Sequence, residues 1–168
     1  MKYTKPTTLS AVIAAATLMT TTVYANQSLP QKYTITTDYA ESIAKAAIVE
    51  CKKSKANPSI SIVNNQGVLV YFYRGDNSGS NTVHTSYRKA YTSATLKMAT
   101  SGLSHIVESE GYSQLGKMED DILLLTGGLP IFDENQLVGA IGLSGSPSPA
   151  LEEGCGKKAL EAHQSTDK

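Results

Sequence analysis

The chain has 168 residues, 40% hydrophobic and 18% charged, with no Trp. That is enough for one domain with a real core. Lys and Arg together number 15, as do Asp and Glu, which excludes a polycation built for nucleic acid or an anionic membrane surface. There is no internal repeat, no low-complexity segment and no run of like charges long enough to act as a tail.

The first residues have a composition of their own. Lys2 and Lys5 form a positive start, Leu9 to Met19 is an Ala-rich apolar stretch, and Val23-Tyr24-Ala25 matches a small-residue cleavage pattern. Residues 1–25 therefore read as a secretory signal peptide cut after Ala25, and the protein as exported, periplasmic or secreted. The stretch is too short and too Thr-rich for stable membrane insertion. Its removal takes two lysines and no acids, leaving 13 basic against 15 acidic residues and a formal charge of −2. Residues 26–35 read as a linker, 36–163 as the domain and 164–168 as a polar tail.

Asp38 with Glu41 three residues later has the form of a capping box, opening a helix to about Ser54. Ile43, Ala47 and Cys51 fall on one stripe of it. Asn57-Pro58 ends the helix. Ser59 to Val63 and Val68 to Tyr73 alternate around the turn Asn64-Asn-Gln-Gly67, which predicts an antiparallel hairpin. Arg74 to Asn81 is a loop of mostly glycine and small polar residues. A second helix is expected from Thr82 to Lys97, with Val83, Tyr87, Ala90, Tyr91 and Ala94 as its apolar face. Leu103, Ile106 and Val107 suggest a short third helix. Residues 111–121 read as a loop, and Ile122 to Leu125 as an apolar run into Gly127-Gly128.

The segment from Leu129 to Ser144 reads as two strands, 129–132 and 136–144, around the polar turn Asp133-Glu-Asn-Gln136. Glycines inside strands mark a close approach of backbone or ligand, and Gly127, Gly128, Gly139, Gly142 and Gly145 concentrate here. A thin, Ala-rich first helix packed against them is the expected partner. A last helix runs from about Ala150 to His163 and places Cys155 on its inward stripe. The order α-β-β-α-α-β-β-α predicts a single α+β domain, a central antiparallel sheet with helices packed on it in a profilin- or PAS-like layered architecture. Cys51 and Cys155 are either one disulfide at the shared end of the outer helices or two buried thiols.

The residues carry no nucleophile elbow, zinc pattern, dinucleotide fingerprint or P-loop. The acids Glu119, Asp120 and Asp121 read as a cation site or a solvated loop. What remains is a binding site, or a cofactor that brings its own chemistry. His84 lies in the first turn of its helix, where the dipole disfavours the imidazolium; it reads either as a ligand for iron, which takes the neutral imidazole, or as an ordinary exposed helix-start residue. Tyr87 and other tyrosines offer aromatic surface, and Arg74, Arg88 and Lys89 offer charges for propionates.

Five segments in order carry a family resemblance: Ser59-Ile-Ser-Ile-Val-Asn-Asn-Gln-Gly67, Tyr73-Arg-Gly-Asp76, Tyr87-Arg-Lys-Ala-Tyr-Thr-Ser93, Gly127-Gly-Leu-Pro-Ile131 and Val138-Gly-Ala-Ile-Gly-Leu-Ser-Gly145. Together they resemble the GlcG/HbpS-like family of haem-binding or haem-degrading domains, related to the C-terminal domain of PduO-type corrinoid adenosyltransferases. The resemblance implies homo-oligomers, often tetramers or octamers, and haem as ligand in some members. It implies a ligand region at the start of the second helix and the following Thr-Ser loop, here His84, Arg88, Thr100 and Ser101, but members vary at the position of His84, often carrying an acidic residue, so the resemblance supplies no common axial ligand. The cofactor site expected from this chain's own residues is His84, on the iron, with Arg88, Thr100, Ser101, Tyr87, Arg74, Gly127 and Gly128. The expected function is an exported haem-binding protein in haem capture, storage or redox sensing. The alternatives are an enzyme of haem or carboxylate metabolism, or an oligomeric structural or sensory protein without a ligand. This chain departs from the family at Asn64-Asn65, where many members carry an aspartate, and in its 111–121 loop.

Overall fold

The structure is a computed structural model that describes residues 31–109 and 111–164. The predicted signal peptide, most of the linker and the tail beyond Gln164 lie outside the described residues. The elements are α1 (Thr37–Lys53), β1 (Ser59–Asn64), β2 (Leu69–Tyr73), α2 (Asn81–Leu96), α3 (Thr100–Ser109), a short 3₁₀ turn (Leu115–Lys117), β3 (Gly128–Asp133), β4 (Gln136–Ser144) and α4 (Pro149–Gln164). The element order is the one expected from the sequence, and the strands form one antiparallel sheet in the order β2-β1-β4-β3.

The period-two alternation of β1 sorts its side chains between two helical layers. Ile60 and Ile62 join Ile141, Leu143, Leu129 and Ile131 in the main core, beneath Ala40, Ile43, Ala44 and Ala47 of α1 and Ala159 of α4. Ser59, Ser61 and Val63 face the other way, toward α2: the Ser59 and Thr82 hydroxyls are 2.8 Å apart, as are those of Ser61 and Ser86. Val63 closes a small cluster with Ala90, Ala94 and Ala140. Cys51 and Cys155 are bonded to one another, with Cα atoms 5.2 Å apart, which fastens α1 to α4.

Three local expectations are corrected. The N-cap of α1 is Thr36, whose hydroxyl accepts from the Tyr39 N–H at 3.3 Å. Asp38 sits in the first turn, where its charge suits the dipole, and Glu41 pairs with Lys45 at 3.2 Å instead of reaching back. The buried face of α2 is only partly the apolar one. Ala90 and Ala94 are buried as expected, but with Thr82, Ser86, Lys89, Thr92 and Ser93, while Val83 is 38% exposed and Tyr87 and Tyr91 are half-buried. The helix lies so close to the sheet that only small side chains fit between.

The glycines explain that closeness and correct the third expectation, because α2 and not α1 packs on the glycine hairpin. A Cβ on Gly142 would stand 2.1 Å from the Ser86 carbonyl oxygen, and one on Gly128 would stand 2.3 Å from that of Lys89. Phe72, Ser61, Gly142 and Gly128 are in register across the sheet. The helix settles over the serine and the two glycines, which leaves Phe72 on the edge strand outside its cover. Gly127-Gly128 therefore meet the middle of α2, not its start.

Candidate functional site

The residues singled out from the sequence fall into two groups on opposite flanks of α2, with Arg74 apart. His84, Tyr87 and Arg88 share the outer flank. His84 is exposed, its side chain 71% accessible, with Nε2 3.6 Å from Asp121 Oδ1. That is too long for a hydrogen bond. Its ring is stacked on that of Tyr87, with centroids 6.4 Å apart and planes 14° from parallel. Tyr87 in turn lies 5.9 Å from Tyr91 and directs its hydroxyl at the Gly67 carbonyl, 3.5 Å away, above the β1–β2 turn. Burial raises the Tyr87 phenol above its ordinary value, and the charges of Asp121, Tyr91 and Glu119 raise it further.

Beside this stack the sheet is bare. Phe72 and Leu69 pair with Ser61 and Val63, so they point to the α2 side of β2, yet they remain 36% and 47% exposed. Val83, in the first turn of α2, is exposed as well. Arg88 is half-buried and reaches the segment that follows residue 120. The Arg88 Nη2 donates to the Ile122 carbonyl at 3.0 Å, while its Nε is buried without a partner.

The segment 121–124 is a strap laid along α2, and no strand. Thr92 Oγ1 donates to the Arg88 carbonyl at 2.7 Å and accepts from the Leu123 N–H at 2.7 Å; Ser104 Oγ donates to the Leu124 carbonyl. The strap fixes Asp121 beside His84. Among the described residues no group of three or more His, Cys, Asp and Glu is placed to hold a metal ion. Nor, among the described residues, is any helix long and apolar enough to cross a membrane.

Thr100, Gly127 and Gly128 lie on the inner flank. Thr100 is fully buried, and its Oγ1 accepts from the Gly128 N–H at 2.9 Å. Ser101 follows, half-buried, in the first turn of α3. Gly127 has φ +121°, a backbone that favours glycine, and a Cβ there would stand 3.0 Å from Glu152 Oε2 and 3.1 Å from Lys89 Nζ. Arg74 is on the loop after β2 and donates to the Ser78 carbonyl at 3.0 Å.

Lys89 does not reach a surface where it could meet a propionate. Its ammonium is buried, donates to the Leu143 carbonyl at 2.9 Å and is paired with Glu152. The other Glu152 oxygen accepts from the N–H groups of Gly145 and Ser146, at 2.7 and 3.0 Å. This ion pair ties α2, β4 and the start of α4 together. Sequence reasoning missed it. The one available signal was the small-residue stripe Thr82-Ser86-Ser93, which puts Lys89 on the sheet side of its helix.

A four-stranded antiparallel sheet held between paired outer helices and one closely seated inner helix defines a class, the layered α+β domains. The chain belongs to the HbpS-like family: the family model described as "Haem degrading protein HbpS-like" matches residues 35–161. An uncharacterized 15.0 kDa protein of the dhaT-dhaS intergenic region of Citrobacter freundii is 31% identical over 117 residues, 67% of this chain and 80% of that protein. The crystal structure of a double mutant of Streptomyces reticuli HbpS superposes with a TM-score of 0.76 at 25% identity, over 92% of this chain and 98% of its own. The PduOC:heme complex shares the fold, with a TM-score of 0.70 at 21% identity, over 77% of this chain and 94% of its own.

Proposed function

We propose that the chain is an exported haem-binding protein, acting in haem capture, storage or redox sensing as a homo-oligomer. The observation that carries this reading is the juxtaposition on the outer flank of α2. An exposed imidazole, with neither nitrogen in a hydrogen bond among the described residues, is stacked on Tyr87 on the side of the sheet where Leu69 and Phe72 of β2 are also exposed.

The residues fit the group. A porphyrin face needs apolar surface, which Leu69, Phe72 and Val83 offer; the iron needs a nitrogen ligand, which His84 offers; and a propionate needs a cation, which the half-buried Arg88 guanidinium offers. Bound there, haem would supply iron for one-electron chemistry, while the chain orients it by stacking His84 on Tyr87 and by the strap that holds Asp121. The name of the family and the haem complex of a fold neighbour support the reading. Export is supported by the sequence of residues 1–25 and by the Cys51–Cys155 bond, since disulfides persist in oxidising compartments. Cleavage after Ala25 would leave the domain beginning near residue 36.

Titration of the mature protein with haemin, followed by its visible spectrum alongside light scattering, tests this. Saturable binding at micromolar haemin by a tetramer or octamer is expected; a monomer that leaves the haemin spectrum unchanged would refute it. The family's description favours a second reading, in which the same site degrades haem. Progressive loss of the bound chromophore under a reductant would select it.

A further inference from the structure

We propose that the Cys51–Cys155 disulfide is a thiol-exchange site, open at Cys155 to a small external thiolate. A cavity of about 320 Å³, lined by Glu50, Ser54, Leu151, Gly154, Cys155 and Lys158, lies over the bond. Cys155, itself only 5% exposed, lines it, while Cys51 is fully buried and does not. The two sulfurs are thus unequal, and an incoming nucleophile meets Cys155 first.

Gly154 is the second observation. Glycine inside a helix costs about 1 kcal/mol against alanine and normally has a packing reason. Gly156 has one, because a Cβ there would stand 2.7 Å from a Leu129 methyl carbon. Gly154 has none: a Cβ there would meet nothing within 4 Å. The missing side chain opens the helix surface next to Cys155. Lys158, which has no carboxylate partner among the described residues, adds a positive charge to the same wall, while Glu50 is engaged by Lys53. A thiolate is drawn toward such a wall, and the anionic sulfur is the attacking form.

The exchange balances as follows. The external thiolate sulfur bonds to Cys155 Sγ as the Sγ–Sγ bond breaks, and the electron pair leaves on Cys51 Sγ, which takes a proton from solvent. A second external thiolate then attacks the mixed disulfide and frees Cys155. The protein disulfide is reduced and two small thiols are oxidised to their disulfide. Reduction removes the covalent link between α1 and α4, while the Ser42–His163 contact and the shared core still hold the two helices together and Glu152 holds the start of α4 to α2.

Reduced glutathione is the probe, applied to the folded mature protein, with acid quenching and peptide mapping of the adduct. The expected adduct is on Cys155, formed without denaturant at a rate that low urea does not raise. Gly154→Ala, which narrows the cavity and favours the helix, and Lys158→Glu, which reverses its charge, should each slow the reaction several-fold with the fold unchanged by circular dichroism. An adduct that forms only as urea unfolds the chain, an equal split between Cys51 and Cys155, or unchanged rates in both variants would overturn the proposal.

Discussion

Replacing Glu152 by Gln tests whether the buried pair with Lys89 organises the junction of α2, β4 and α4. Both side chains are almost wholly buried, 4% and 5% exposed. The carboxylate answers three donors: the Lys89 ammonium on one oxygen, and the N–H groups of Gly145 and Ser146 on the other. A glutamine keeps one acceptor oxygen and brings an NH₂ that must face donors. It also leaves the ammonium with the Leu143 carbonyl as its remaining partner. Breaking a buried pair from one side costs about 3–5 kcal/mol, against a total stability of about 5–15 kcal/mol for a domain. Urea unfolding of Glu152→Gln should show a midpoint lowered accordingly with an unchanged slope. Lys89→Met combined with Glu152→Gln should lose less than the sum of the single losses. A single-variant loss below about 1 kcal/mol, or strict additivity, would refute the reasoning.

Other consequences follow from the packing and the charges. A double Cys51→Ser, Cys155→Ser variant loses a crosslink spanning 104 residues, a destabilisation of about 4–5 kcal/mol in the chain-entropy model; equal urea midpoints would contradict it. Gly142→Ala puts a Cβ 2.1 Å from the Ser86 oxygen and 2.5 Å from the Ala90 nitrogen. The helix must then lift from the sheet, at about 1–3 kcal/mol or more, again read as a fall in urea midpoint. The raised phenol of Tyr87 has a defined sign. The folded state holds that proton more tightly than the unfolded chain, so the stability it contributes is present below about pH 10 and is lost as pH rises through the raised value. In a near-ultraviolet phenolate titration Tyr87→Phe should remove a late-titrating component, and Asp121→Asn should move that component to lower pH; a Tyr87 that titrates with the other tyrosines would count against this.

Much of the fold was legible because strand alternation and the turns Asn64–Gly67 and Asp133–Gln136 are local signals. The limits of β4 come out as expected, and the outer helices carry their cysteines on inward stripes that meet. What was not legible depends on spacing between layers. The apolar residues of α2 looked like its buried face, but the glycines of β3 and β4 bring the helix backbone so close that serine, threonine and alanine fill the gap. Val83 and Tyr87 are displaced to the flank, where Val83 is exposed and Tyr87 half-buried. The partnership of Lys89 with Glu152 joins residues 63 positions apart, and no periodicity reports that. His84, Tyr87 and Arg88 were visible as neighbours because helical spacing is local. Leu69 and Phe72 joined them only once the register of β2 on β1 was known.

The central claim is that haem sits on the outer flank of α2 with His84 toward the iron. Haemin titration of the wild-type protein and of His84→Ala, compared by visible spectrum, tests it most directly. The account predicts weaker binding and a shifted Soret band in the variant, with the fold intact because the side chain is exposed. An unchanged spectrum and unchanged affinity would contradict it.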